Sequence, residues 1–353
     1  MKIFLETYDE RYIDRIRFLF RIKPVLENDF GYTFVEHEKD AELIISQQVS
    51  YSPNLDLCLS TRKDVIILEV NDTASIFNDS LRQIIGRENL KGFFKDTNFK
   101  DKSVHNLPTS GDRRYHVNFI NDFANVCEKD EYDIKIKEKD LGKIKCAMPS
   151  FLNFRMDQMR NSGDFLERED RPFVLNFAGT TDYFKNKNYV NLQKDDKRLN
   201  LPLLMKIHRD RAIEEIKNYA VKKNCNVILS NSKPMTQIEY WHSLLASRIC
   251  VSPWGFGAYN WRDYEAIYLG AVLLKPNTDF LETYCDLFRS SMFYVDCRPD
   301  FSDLSEKVDF IESNFQSCKE MRKRALNLLN DNDDTHKIAK RFDKQIREAL
   351  EGK

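Results

Sequence analysis

Short apolar runs alternate with helix-length amphipathic stretches along almost the whole chain. In the first half the runs fall at residues 3–5, 32–35, 43–45, 65–68 and 92–94; in the second they fall at 173–177, 227–229, 249–251, 271–274 and 292–295. Runs rich in Val, Ile and Phe and without strict alternation are how strands buried on both faces read. Amphipathic segments between them imply βαβ crossovers and a parallel sheet. From about residue 98 to 171 the pattern breaks into polar, irregular sequence, and it resumes at Arg171-Pro172. The expected architecture is therefore α/β with two Rossmann-like halves, residues 1–160 and 171–315, followed by helices over 316–353. In that tail Ile338, Phe342, Ile346 and Leu350 recur every fourth position. Such a stripe needs a surface to cover; the first domain is one candidate, and periodicity does not choose.

Composition narrows the class. The 353 residues are 42% hydrophobic and 31% charged, enough for two cores. A formal net charge of -1 draws the chain to neither nucleic acid nor anionic membrane. Eight cysteines occur singly with no C-x-x-C pair, which removes the usual support for zinc or thioredoxin-like chemistry. Cys58, Cys225 and Cys250 sit among apolar residues as buried thiols, suggesting a reducing, cytoplasmic setting. No run reaches the ~20 apolar residues a transmembrane helix needs, and no leader is visible.

The most informative stretch is 249–276, which reads as strand, glycine-containing loop, helix, strand. Gly255 and Gly257 are expected to take positive φ and let the backbone approach a ligand. A helix beginning near Asn260 turns its free N–H groups toward that loop, which suits a diphosphate. Arg262 and Glu265 share a face at the same helix end: a guanidinium reaches phosphate oxygens, a carboxylate accepts ribose hydroxyls. Gly270 reads as the residue that closes the helix. The alternative is a plain βαβ turn with a solvated Arg–Glu pair; Ser252, Pro253 and Asn260 alongside the glycines favour the ligand site.

With Pro253, Gly255, Gly257, Arg262, Glu265, Ala266, Gly270 and Pro276, this stretch resembles the donor-binding signature of GT-B glycosyltransferases, most closely the exostosin-like group. The resemblance covers 249–276 specifically and 171–300 diffusely. It implies two Rossmann-like domains with a cleft between them and a nucleoside-diphosphate sugar, UDP- or GDP-linked, held by the C-terminal half. The strand leading to Gly179 and Thr180 resembles the first donor-domain strand of that group. By the same resemblance Gly179 and Thr180 approach the phosphates and Arg209 or Arg211, opening the next helix, neutralises them. On an exposed helix the two arginines would instead pair with neighbouring carboxylates.

Residues 183–200 interleave Lys185, Lys187, Lys194, Lys197 and Arg198 with Tyr183, Phe184 and Tyr189; a nucleic-acid strip, a flap over the donor and a solvated loop all fit, and the neutral whole favours the last two. Thr236 and Glu239 form a capping box for a helix with Ile238, Trp241, Leu244 and Leu245 inward. His242 on that helix is assigned no role.

A transferase that inverts needs a base for the acceptor hydroxyl. Carboxylates at the carboxyl ends of first-domain strands are the natural places. Asp72 is the candidate, with Asp96 and His116 in reserve and Glu69 on the same strand end; Asp72 reads equally well as the N-cap of a helix from Thr73 to Ile85. The lone D-x-D, Asp331 to Asp333, lies in a polar break of the tail, so no metal site is expected. The function this implies is glycosyl transfer from a nucleotide sugar to a glycan hydroxyl, without a metal or other cofactor and without nucleic-acid partners. A nucleotide-sugar epimerase and a non-catalytic nucleotide or glycan binder are the alternatives.

Overall fold

The computed structural model describes residues 1–7, 13, 15–49, 53–70, 74–76, 78–107, 133–149, 157–159, 165, 168, 170–181, 201–230, 235–255, 257–286 and 288–353. Asp72, His116 and the segment 183–200 lie outside the described residues.

The first half builds a six-stranded sheet from β1 (Lys2–Glu6), β2 (Thr33–Val35), β3 (Leu43–Gln48), β4 (Asp64–Glu69), β5 (Leu90–Lys95) and β7 (Ile144–Cys146), in the order β2-β1-β3-β4-β5-β7. Every neighbouring pair in it is parallel. The second half builds a five-stranded, likewise all-parallel sheet from β8 (Phe173–Ala178), β9 (Val227–Ser230), β10 (Ser247–Val251), β11 (Val272–Pro276) and β13 (Val295–Cys297), ordered β13-β11-β10-β8-β9. In both, helices return the chain so that the strands bury both faces, as a parallel sheet requires.

On the first sheet, one face is covered by α1 (Arg17–Phe30), the other by α2 (Asp56–Ser60), α3 (Asp79–Ile85) and α4 (Glu138–Leu141). The second sheet packs one face on α5 (Leu201–Lys223) and α8 (Leu304–Ser313), the other on α6 (Gln237–Leu245) and α7 (Trp261–Tyr268). Then α9 (Phe315–Asp331) leads to α10 (Thr335–Leu350), whose stripe Ile338, Phe342 and Ile346 is buried against α1 and β5 of the first domain. Phe342 lies edge-on to Phe18 and Phe94 at 5.5 and 6.0 Å between centroids, and Tyr32 donates its hydroxyl to Asp343 at 2.7 Å. The D-x-D turn helps this docking: Asp333 takes the Arg21 guanidinium of α1 at 2.5 Å.

A second bridge joins the halves. β6 (Thr97–Phe99) pairs antiparallel with β12 (Leu281–Thr283), and Lys102 crosses to Glu282 at 2.6 Å. Beside them Ala74 and Phe99, which follow β4 and β5, pack on Trp254, Ala258 and Leu281. Loops from the carboxyl edge of one sheet thus touch the loop leaving the carboxyl edge of β10, and the two edges face each other.

Several expectations are corrected here. The strand expected over 292–295 begins only at Val295, and β6, β7 and β12 carried no legible run. α3 starts at Asp79, not Thr73, and its cap is Asn78, whose side chain accepts from the Leu81 N–H at 3.2 Å. Ile238 is 65% exposed whereas Leu244 is buried; six residues turn a helix by about 240°, so the two cannot share a face. Among the thiols, Cys58 and Cys250 are buried but Cys225 is only half-buried.

Candidate anion site at the carboxyl edge of the second sheet

The loop after β10 is held from below by a buried polar knot. Ser252, Asp263 and Lys275 have no exposure. Asp263 accepts from the Ser252 hydroxyl at 2.5 Å, from the Lys275 ammonium at 2.5 Å and from the Asn260 N–H at 3.2 Å. Lys275 also donates to the Ala258 carbonyl at 2.9 Å, and Asn260 reaches Ser252 Oγ at 3.3 Å. Burial pushes the lysine pKa down while Asp263 pulls it up. Tyr259 and Phe288 wall the ammonium at 4.7 and 4.9 Å from their centroids. A buried pair with its hydrogen bonds satisfied buys register more than stability: here it sets the start of α7, which begins at Trp261 after Asn260. Neither Asp263 nor Lys275 stood out in the sequence, although a charged residue inside the otherwise apolar run of β11 was a readable signal for Lys275.

Above the knot, His208 of α5 stacks on Trp254 with centroids 5.1 Å and planes 18° apart. Its Nε2 accepts the Trp254 backbone N–H at 3.1 Å, so the imidazole is neutral there. The next residue, Arg209, is buried and donates to the Thr180 carbonyl at 2.6 Å. Arg262 donates to the neighbouring Ala178 carbonyl at 2.8 Å and lies 5.1 Å from the Phe177 ring centroid. Both guanidiniums therefore converge on the end of β8. A Cβ on Gly179 would stand 2.5 Å from Arg262 Nη2 and 3.6 Å from Arg209 Nη1, so the glycine is what admits them. Gly255 completes the ring, its Cβ position 3.8 Å from Arg209 Nη2.

Of the residues named from sequence, the structure thus gathers Gly179, Thr180, Arg209, Ser252, Gly255, Asn260 and Arg262. Gly257 belongs to the same turn, its carbonyl accepting the Gly255 N–H at 3.0 Å. Gly255 does not take the positive φ expected of it; the glycines of the described residues that do are Gly31, Gly270 and Gly352. Arg211 is not brought to the site: it pairs with Glu214 at 3.4 Å on the outer side of α5, because two residues turn a helix by about 200°. α5 also starts at Leu201, so Arg209 sits two turns inside it rather than at its opening. Glu265 is buried and faces α6, where its Oε1 accepts from Gln237 at 3.2 Å and Trp241 Nε1 at 3.1 Å. His242 is exposed. In the first domain Glu69 is buried in an ion pair with Lys95, and Asp96 takes the Thr97 hydroxyl at 3.3 Å.

Two positive groups, a tight glycine turn and the first turn of α7 are the features that would suit an anion, and they define the candidate site. Two Rossmann-like domains opposed at their carboxyl edges form a GT-B-like architecture. No family model matches the sequence, and no curated protein matches it either. Among solved structures, the chain is similar to TarM at TM-score 0.45 and 11% identity, over 86% of this chain and 54% of TarM, so it spans about half of that protein. A glycosyltransferase from Rickettsia africae ESF-5 gives 0.46 and 11% over 99% and 98% of the two chains. Anabaena Alr3699/HepE, solved in complex with UDP-glucose, gives 0.42 and 10% over the full length of both. No helix among the described residues is long and apolar enough to cross a membrane.

Proposed function

We propose that this chain is a glycosyltransferase that moves a sugar from a UDP- or GDP-linked donor to a hydroxyl of a glycan, with no metal ion. The observation that carries the reading is the convergence of Arg209 and Arg262 on Gly179, beside the turn at Gly255 and the first turn of α7. Donors fixed in place before the reaction stabilise a diphosphate as charge builds on it, with no need for a divalent ion. Glu265, oriented by Trp241 and Gln237, receives the ribose hydroxyls. The signature from Pro253 to Pro276 supports placing the enzyme with the exostosin-like group, and the buried thiols Cys58 and Cys250 support a reducing, cytoplasmic compartment. Residues 1–160 bring the acceptor.

The test is thermal stabilisation by UDP, GDP, CDP and dTDP, with and without magnesium. One nucleotide is expected to stabilise the protein equally in both conditions. Arg209→Ala and Arg262→Ala should each weaken it about 10- to 100-fold, the loss of one charged hydrogen bond of roughly 1.5–3 kcal/mol, while Arg211→Ala and Glu265→Ala separate the two remaining roles: the first should bind normally and the second weakly. A shift that needs magnesium would remove the metal-free part of the reading. No shift with any nucleotide would sink the reading itself.

A further inference from the structure

A polar row crosses the carboxyl edge of the first sheet on its α2 side. Glu6 ends β1 and is in register with Ser46 of β3. Ser46 donates its hydroxyl proton to Glu6 Oε2 at 2.5 Å. Gln48, two residues on and so on the same face, donates to Ser46 Oγ at 2.7 Å and to the Asn54 carbonyl at 2.7 Å. Ser46 and Gln48 have no exposure, whereas Glu6 is half-buried at the rim. The hydrogen bonds run in one direction: Asn54 sets the amide, the amide sets the hydroxyl, and the hydroxyl sets one oxygen of the carboxylate. A base oriented by a second group that is oriented by a third is the geometry of activated catalytic groups.

The neighbouring strand ends do not offer this. Glu69 is fully buried and neutralised by Lys95. Asp96 sits where β5 turns into the bridging strand β6. Glu6 has no cationic partner among the described residues. Nine residues on, the Arg15 guanidinium lies over the ring of Trp261, the first residue of α7, at 5.6 Å, and the loops after β4 and β5, on the same carboxyl edge as Glu6, pack on Trp254 and Ala258 of the donor side. Glu6 therefore stands on the edge that faces the anion site.

We propose that Glu6 is the group that takes the proton from the acceptor hydroxyl, with Ser46 and Gln48 as its positioning residues; this rests on the glycosyltransferase reading above. The acceptor oxygen bonds to the anomeric carbon as the bond from that carbon to the diphosphate oxygen breaks. The electron pair leaves with the nucleoside diphosphate beside Arg209 and Arg262, and the proton passes to Glu6 and then to solvent. The path inverts the anomeric centre. Partial burial raises the Glu6 pKa, the Ser46 hydrogen bond lowers it, and Asp56 of α2 raises it again. The groups that face it are Asp56 and the thiol of Cys58 from α2, and Ser46 and Gln48 from β3. A carboxylate shifted upward is the better proton acceptor near neutral pH.

The experiment follows the Glu6 carboxyl signal in protein carrying 13C-glutamate, assigned by its loss in Glu6→Gln. It is expected to titrate above ordinary glutamate, and to move up by roughly one further pH unit when the stabilising nucleotide binds, because the diphosphate charge lies across the cleft. With UDP- and GDP-sugars and water as the acceptor, Glu6→Gln should slow nucleoside-diphosphate release about 10²- to 10⁴-fold while keeping the thermal shift. Ser46→Ala should move the acid limb of the rate to higher pH, which a merely structural serine would not do. A Glu6 signal indifferent to bound nucleotide, or undiminished release by Glu6→Gln, would overturn the assignment and leave the donor site standing. If no nucleotide binds the wild type, the donor reading falls and this proposal falls with it.

Discussion

His105 is 1% exposed, its ring edge-on to Phe99 at 5.0 Å and its Nε2 2.9 Å from Asn98 Oδ1. A carboxamide oxygen only accepts, so Nε2 carries a proton. Burial first, then Lys95, Lys102 and Arg82, push its pKa well below the usual 6.5. The sign follows. Below the unfolded value the unfolded chain binds a proton that the folded chain refuses, so stability falls as the pH drops through about 6.5 toward the folded value. The slope reaches about 1.4 kcal/mol per pH unit. Urea titrations from pH 7 to 5 should show that slope, and His105→Gln should flatten it; an unchanged slope would mean that other groups set the acid limb. At this scale sequence gave residue types but not directions. Arg209 and Arg211 read alike, and only the phase of α5 separates them. Asp263 carried no signal at all, and only Lys275 of β11, to which it is paired at 2.5 Å, makes it part of the buried knot.

Gly270 shows what an element's ending demands. It follows α7 at φ +77°, and a Cβ there would meet Arg171 Nη2 at 2.6 Å and the Phe165 carbonyl at 2.7 Å. Arg171 is itself a joint: its guanidinium donates to the carbonyls of Leu244, Ser247, Phe165 and Leu269, near the ends of α6 and α7. Burial and the nearby Arg322 lower its pKa to about 10. Gly270→Ala must strain the backbone and displace that guanidinium, so it should cost about 2–5 kcal/mol from the two effects together. Calorimetry would check it, and a loss below about 1 kcal/mol would show that the turn relaxes freely. The strands of four to six residues were legible, because residues buried on both faces over that length leave an apolar signature. The three-residue strands β6, β7 and β12 were not, since so short a piece carries no period.

At the scale of the molecule, α10 locks the two halves. Phe342 is 2% exposed, and the core it joins runs without a break from α1 and β3 through α7, α9 and β11. Phe342→Ala should lower the unfolding free energy by about 3–5 kcal/mol. It should do so in a single transition monitored by fluorescence and circular dichroism alike; two separated transitions would show that the halves fold independently of this helix.

Sequence by itself determined the parallel α/β class, the strand–turn–helix unit of 249–276 and the amphipathic stripe of the last helix, because each is a local pattern of burial and backbone freedom. Which surface that stripe covers, which arginine meets Gly179, and that the carboxyl edges of the two sheets face each other were decided by tertiary structure alone. Those outcomes depend on contacts between residues up to hundreds of positions apart, and a hydrophobic period records that a face is buried without recording what buries it.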